Sequence, residues 1–197
     1  RRRHGSGRWF RGFKVQGSWF MNLWPEFVRQ GLETKISTLL ALFPPPAPER
    51  IVRAAPGLVV LDEAYQPFAG ASFMPRLAEF ENMVVMRTVS KIGMAGLRLG
   101  YVAGRPEWIE AFNKVRSPFN VNVVTEAVAI KLLENKAVLD AQAAKVLAER
   151  ERMRPELERL PGLTVYPTAA NFFLVRVAGG KGAGTRVFDA LKAQGVL

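Results

Sequence analysis

Leu58-Val59-Val60-Leu61-Asp62-Glu63-Ala64-Tyr65 and, further along, Met83-Val84-Val85-Met86-Arg87-Thr88-Val89-Ser90-Lys91 decide how this 197-residue chain folds. Each opens as an unbroken aliphatic run and then meets charged or hydroxyl-bearing residues. A run that is apolar at every position has no wet face, so it reads as a strand covered on both sides, as in parallel sheets. A third run, Leu99 to Ala103, follows Gly93 and Gly96 and closes at Gly104. Buried strands separated by loops and short helices predict an α/β layered sheet, whose sites lie beyond the carboxyl ends of the strands.

Outward from these strands the chain is punctuated by proline and glycine. Phe43-Pro44-Pro45-Pro46-Ala47-Pro48 reads as a stiff, extended linker and a boundary. Glu49 to Ala55 suits a short helix, and Pro56-Gly57 turns the chain into the first strand. Pro106 to Val115 is predicted to be a helix with Trp108, Ile109 and Phe112 on its apolar side. A long helix is expected from about Val123 to Arg154, with Pro155 kinking or interrupting it. Leu163 to Pro167 and Asn171 to Val177 read as strands, Gly179 to Gly184 as a loop, and Thr185 to Gln194 as a helix. Gly195-Val196-Leu197 resembles the start of a further strand. That change of rhythm predicts a second, smaller α+β unit starting near residue 150.

Composition narrows the chemistry. With 49% hydrophobic and 23% charged residues the chain is of globular type. It has no cysteine, which excludes disulfides, thiolate metal sites and cysteine nucleophiles. Its one histidine, His4, leaves almost nothing from which to build a His-ligated metal site or a catalytic triad, so no metal is expected. No apolar run approaches the roughly 20 residues of a membrane helix, and the Arg-led start lacks signal-peptide features, so a cytoplasmic protein with no membrane partner is expected.

The net charge is +11, from 28 Lys+Arg against 17 Asp+Glu. Its distribution matters more than its total. Residues 1–41 hold eight Lys/Arg and two Asp/Glu, a surplus of +6, and three of the four tryptophans: Trp9, Trp19 and Trp24. Arg8-Trp9-Phe10-Arg11-Gly12-Phe13-Lys14 could hold single-stranded nucleic acid, with cations on phosphates and rings on bases. The simpler reading is a solvated or disordered basic extension, since the segment keeps neither a 3.6 nor a 2 period. Its one short helical candidate is Pro25 to Leu32.

Two polar positions stand out at the strand ends. An acid such as Asp62 at the end of a buried strand is costly to desolvate unless it meets a cation or donors, which points to a site; the same position also suits a helix N-cap. Lys91 follows the second strand. Desolvation and a nearby cation can disfavour a lysine's charge and make its amine nucleophilic, although most such lysines are simply exposed. Ser90 and Arg98 add a hydroxyl and a guanidinium fork suited to a phosphate. Taken together, the acid, Tyr65 three residues on, Ser90-Lys91 after the next strand, then Gly93 and Arg98 are far more specific than any one of them.

At these residues the chain resembles the fold-type I pyridoxal-phosphate aminotransferases, and within them most closely the histidinol-phosphate aminotransferase branch. The matching stretches are LVVLDEAYQPFA, MRTVSKIGMAGLRLGYVAG, SPFNVNVVTEA and PTAANFFLVRV, in the family's order across roughly residues 42–197. The resemblance implies part of the mostly parallel-sheet cofactor domain over 42–150 and part of a small α+β C-terminal domain over 151–197, with 1–41 foreign to the family.

Carried over by resemblance, Lys91 would form the internal aldimine with pyridoxal 5'-phosphate and then shuttle the proton between substrate and cofactor. Asp62 would hold the pyridine nitrogen protonated, Tyr65 would donate to the phenolic oxygen, and Ser90 and Arg98 would bind the phosphate. The arginine follows the lysine by seven residues, where related enzymes often have eight. Asn171 and Arg176 would face the substrate side, or serve structure alone, while Gly93, Gly96 and Gly100 would fit the backbone near the cofactor. The implied reaction takes a small-molecule amino donor and a 2-oxo acid: histidinol phosphate and 2-oxoglutarate to imidazole-acetol phosphate and glutamate. Family members are usually homodimers.

The chain also departs from the family. Residues 29–43, where an Asn-Pro loop is expected, contain no asparagine, and the sequence stops before the family's carboxylate-binding arginine. These departures lead to the expectation of a fragment whose residues 1–41 come from a shifted reading frame or a mispredicted start, with little or no transaminase activity of its own. Other fold-type I aminotransferases, a phosphate-substrate decarboxylase, and a basic nucleic-acid-binding fragment are the competing readings.

Overall fold

The computed structural model describes residues 46–196, together with the backbone of two short strands at 14–17 and 34–36. The predicted Pro25 to Leu32 helix, the aromatic-basic cluster over residues 8–13, His4 and Leu197 lie outside the described residues. In chain order the elements are β1 (Lys14–Gly17), β2 (Thr34–Ile36), α1 (Pro46–Ala54), β3 (Val59–Asp62), α2 (Gln66–Ala69), a 3₁₀ turn (Met74–Glu79), β4 (Met83–Thr88), two 3₁₀ turns (Ser90–Ile92 and Ala95–Leu97), β5 (Gly100–Gly104), α3 (Pro106–Val115), α4 (Val123–Glu134), α5 (Lys136–Glu158), β6 (Leu163–Val165), β7 (Val175–Val177) and α6 (Ala183–Ala193).

Five strands form one sheet in the order β1-β5-β4-β3-β2. β2, β3 and β4 run parallel, with Leu61 opposite Ile36 and Val85, and Asp62 opposite Met86. β5 lies antiparallel to β4 and to β1. The expected doubly covered strands are present, and their alternation explains why no position could be polar. Leu58, Val60, Val84, Met86 and Val102 face α3, where Ile109 and Phe112 complete one core. Val59, Leu61, Met83, Val85 and Ala103 face the other way, onto Val52 of α1 and Leu77 and Phe80. Fully burying each such side chain contributes roughly 1.5–3 kcal/mol, so this two-sided sheet dominates the stability of the described chain.

Asn82 closes the amino end of β4. Its Nδ2 donates to the carbonyls of Val52, Ala55 and Gly57 at 3.0, 3.1 and 3.1 Å, tying α1 and the turn before β3 to the sheet. At the opposite end a third cluster, Val89, Met94 and Leu139, packs the turns after β4 against α5. The sheet is therefore fixed at both edges by unrelated contacts, one polar and one apolar.

Several elements differ from the sequence reading. Two strands, β1 and β2, pair with β5 and β3 in a segment whose sequence shows no period; backbone pairing to an existing sheet needs no side-chain pattern of its own. The proline run does not stay extended to its end: α1 begins at Pro46, because a first helical turn has no use for the N–H groups that Pro46 and Pro48 lack. The long helix is two. It breaks at Asn135, whose Nδ2 donates to the Lys131 carbonyl at 2.9 Å and so competes with the helical ladder. Pro155 does not end α5, which continues to Glu158; Pro155 and Glu151 are exposed, so the carbonyl that loses its partner faces water. Gly195 and Val196 start no strand. With Gly195 at φ 72° and the Val196 N–H on the Leu191 carbonyl at 3.1 Å, they cap α6.

β6 and β7 form a separate antiparallel pair, Leu163 opposite Val177 and Val165 opposite Val175, with α6 after it. Both strands bury their outer two residues only in part. No helix among the described residues is long and apolar enough to cross a membrane.

Candidate active site

Because β3 and β4 are parallel neighbours, their carboxyl ends open on the same edge of the sheet, and this brings two distant parts of the sequence together. Asp62 is the last residue of β3, and Lys91 lies in the turn just past β4. Asp62 Oδ1 accepts from the Ala64 N–H at 3.0 Å, which turns the chain toward Tyr65. It caps no helix, since α2 starts after Tyr65 without a side-chain cap, so the N-cap alternative falls away. Tyr65 lies against Lys91: the Nζ stands 4.9 Å from the ring centroid. Such a contact contributes about 0.5–1 kcal/mol, enough to give the amine a preferred seat. Asp62, Tyr65, Ser90 and Lys91 are all half-buried.

The sequence reading missed what holds this edge rigid. Glu63 is only 8% exposed, an acid that would not tolerate burial alone. Its Oε2 accepts from Arg87 Nε and Nη2 at 3.0 and 2.8 Å and from the Ser72 hydroxyl at 2.9 Å. Its Oε1 accepts from the Phe73 N–H at 2.6 Å, and Arg87 Nη2 also donates to Ser72 Oγ at 2.7 Å. The cluster locks the loop carrying Asp62 and Tyr65 to β4, four residues before Lys91. The signal was present in the sequence: Arg87 is a charge inside an apolar strand, and such a residue needs a partner.

Ser90 sits on a turn closed by Thr88, whose Oγ1 accepts from the Ser90 N–H at 3.0 Å and donates to the Leu99 carbonyl at 3.1 Å. The Val89 N–H bonds the same carbonyl, also at 3.1 Å. Leu99 thus binds the Ser90-Lys91 turn, and its neighbour Arg98 lies at this same end of the sheet. Arg98 is exposed and adopts a left-handed conformation, φ 51° and ψ 38°, uncommon for a residue with a Cβ and found preferentially at functional sites. Of the glycines, Gly93 ends the lysine turn at φ 93°. A Cβ at Gly100 would stand 2.8 Å from the Arg87 carbonyl oxygen, whereas at Gly96 it would meet nothing within 4 Å. Backbone fit therefore accounts for Gly93 and Gly100, while among the described residues nothing crowds Gly96.

The two residues read as substrate-side lie on the second sheet and the loop leading to it. Asn171 is exposed. Its neighbour Phe172 meets Tyr65 edge-on, with centroids 5.4 Å apart, and so links the loop before β7 to the lysine edge. Arg176, central in β7, holds its guanidinium 5.4 Å from the Tyr166 ring. The structure gives Arg176 an aromatic partner beside its own sheet, and it gives Phe172, which the sequence reading passed over, the contact with Tyr65. Among the described residues no group of three or more His, Cys, Asp or Glu is arranged to hold a metal ion.

A mixed sheet whose parallel neighbours end in an acid on one strand and a lysine just past the other, with a tyrosine ring against that lysine, is an α/β arrangement. Residues 41–197 match the family Aminotransferase class I and II, and the chain belongs to that family. It is 57% identical over 150 residues to histidinol-phosphate aminotransferase 1 of Burkholderia lata, across 76% of this chain and 41% of that protein. The chain thus spans about two fifths of the length of the curated relatives it matches. Its fold superposes on the crystal structure of histidinol-phosphate aminotransferase from Clostridium acetobutylicum with a TM-score of 0.74 at 20% identity, covering 89% of this chain and 55% of that one. The Sinorhizobium meliloti enzyme, solved in complex with pyridoxal-5'-phosphate, gives 0.72 at 26% identity, covering 89% and 50%. The expected fold class, part of a fold-type I α/β architecture, is borne out.

Proposed function

We propose that this chain is the lysine-bearing part of a pyridoxal-phosphate-dependent transaminase acting on histidinol phosphate and 2-oxoglutarate. The observation that carries the reading is the Lys91 amine at 4.9 Å from the Tyr65 ring, beside the strand that ends in Asp62. The donor set fits the cofactor: a carboxylate for a pyridinium nitrogen, a phenol for the ring oxygen, an amine for the aldehyde carbon, and a hydroxyl with a guanidinium for the phosphate. When bound, the cofactor supplies the electron sink that makes a substrate C–H acidic.

The protein's own residues divide the remaining work. Asp62, fixed by its turn to Ala64, would hold a proton on the pyridine nitrogen of a bound cofactor. Tyr65 would donate its phenolic proton to the cofactor's ring oxygen, and it offers its ring to the lysine. Lys91 would give and take the proton, from a turn that Val89 and Met94 anchor in the core. Ser90 and Arg98 would hold the phosphate dianion at the same edge. Asn171 and Arg176 belong to the substrate side of this reading, with 42–150 as the cofactor unit and 151–197 as the small unit. The reading carries with it an amino donor, a 2-oxo acid, a homodimeric assembly and a cytoplasmic location. The 57% identity to a relative of that name supports the choice of substrate.

The test is chemical trapping. Pyridoxal phosphate is added to the purified chain, borohydride reduces the mixture, and peptide mapping locates the added mass. The expected result is modification confined to Lys91 and abolished by Lys91→Ala. Modification spread evenly over surface lysines in both proteins would refute the proposal.

A further inference from the structure

Arg150 lies on α5, far in sequence from either strand end, yet its guanidinium reaches both loops that meet at the lysine. Its Nη1 donates to the Phe68 carbonyl at 3.3 Å and to the Ala170 carbonyl at 3.1 Å, while Nε pairs with Glu151 at 3.0 Å. The side chain is only 14% exposed. Phe68 N–H in turn bonds the Tyr65 carbonyl at 2.9 Å, and Ala170 directly precedes Asn171 and Phe172. Arg150 therefore grips the two segments whose rings, Tyr65 and Phe172, pack edge to face, and Tyr65 is the ring on which the Lys91 amine rests. A planar fork suits this task, because one nitrogen can serve two carbonyls while the rest of the group stays charged and packed.

We infer that Arg150 is a positioning residue: by clamping the Phe68 and Ala170 carbonyls it holds Phe172 against Tyr65, and thereby fixes the tyrosine face that covers one side of the Lys91 amine. This rests on the reading of Lys91 and Tyr65 as site residues, and it adds a determinant of their geometry that touches neither. Lysine in its place would keep the charge but lose the fork. Removal of the Phe172 ring would cut the same link from the other end.

The experiment is competitive acetylation of the full chain without cofactor, read by mass spectrometry as the rate at Lys91 relative to exposed Lys192. Arg150→Ala is expected to raise that ratio about threefold, the change that a lost surface cation–π contact would give. Arg150→Lys, the variant more certain to fold, should raise it as well, and Phe172→Ala should match Arg150→Ala. The double variant should be no worse than either single one. Asn82→Ala, a comparable loss of carbonyl contacts at the far edge of the sheet, should leave the ratio at its wild-type value. Unchanged ratios in both Arg150 variants would overturn the inference, as would an equal rise in Asn82→Ala. Because no cofactor is used, a wild-type chain that takes up no pyridoxal phosphate would refute the proposed function without deciding this result.

Discussion

The edge of the large sheet and the β6–β7 unit both carry polar residues but treat them in opposite ways. At the sheet edge Glu63, Arg87 and Ser72 are withdrawn from water and satisfy one another, so the loop bearing Asp62 and Tyr65 cannot shift without exposing a buried charge. In the second unit Asn171 and Arg176 are exposed, and Leu174 is 62% exposed on the loop side of β7. The difference is physical: a half-buried ionic network that resists displacement, and a smaller surface whose polar residues face water. Its energetic content can be broken or sharpened by matched substitutions in the two regions.

The largest effect is expected from Glu63→Ala. It strands the Arg87 guanidinium in a site where its side chain is only 20% exposed and removes the acceptor of the Phe73 N–H. Breaking a buried pair from one side costs about 3–5 kcal/mol. Urea unfolding should register it as a large fall in midpoint, with Glu63→Gln falling less because an acceptor remains. Arg176→Ala, the matched loss of a guanidinium in β7, should cost no more than about 1 kcal/mol, the scale of an exposed cation–π contact. Equal midpoint losses would erase the distinction between the regions.

Glycine substitutions should separate the regions by sign. In Gly100→Ala the new methyl meets a carbonyl oxygen of β4 at 2.8 Å, and backbone inside a paired strand has nowhere to move. Overpacking of this kind costs about 1–3 kcal/mol. Gly184→Ala lies in the first turn of α6, with nothing among the described residues within 4 Å of the new atom. It should stabilise by about 0.5 kcal/mol through helix propensity and a less free unfolded chain. Thermal midpoints of the two variants on either side of the wild type are the expected outcome; a shared direction would mean that local space does not govern these positions.

The sheet was legible in the sequence because both faces of β3 and β4 are buried, and a run that is apolar at every position has no face to offer water. Asp62 and Lys91 were legible for the same reason, as polar residues placed where such runs stop. What could not be read was pairing across distance. Arg87 announces a need for a partner without naming Glu63, and Arg150 sits among Glu149, Glu151 and Arg152 on a helix that reads as an ordinary solvated face. Its partners are backbone carbonyls 82 and 20 residues away, which carry no side-chain identity at all. The strands β1 and β2 were hidden likewise, since their place is set by the edges they join.

The smallest effect concerns the surface charges that fasten α1 to the 3₁₀ turn at 74–79, and it tests whether surface pairs share in the rigidity of the sheet edge. The Glu49 carboxyl is held below its ordinary value of 4.5 by hydrogen bonds from Arg53 and then Arg76. Glu79 is held below the same value by its bonds from Arg76. A carboxyl whose folded pKa lies below its unfolded one contributes stability that is complete above the unfolded value and disappears as the pH falls through the folded one. The contribution should therefore be whole at pH 7 and fade below about pH 4.5. Because Glu79 is exposed and Glu49 only half-buried at the surface, both screened by solvent and salt, it should be slight and should shrink further at high ionic strength. Thermal midpoints from pH 7 to pH 3 should fall less steeply in the Glu49→Gln, Glu79→Gln double variant than in the wild type, the gap closing in 1 M salt. A gap that persists in salt would mean that these pairs are shielded from solvent like Glu63 and Arg87, and the contrast between buried network and exposed surface would then have to be redrawn at α1.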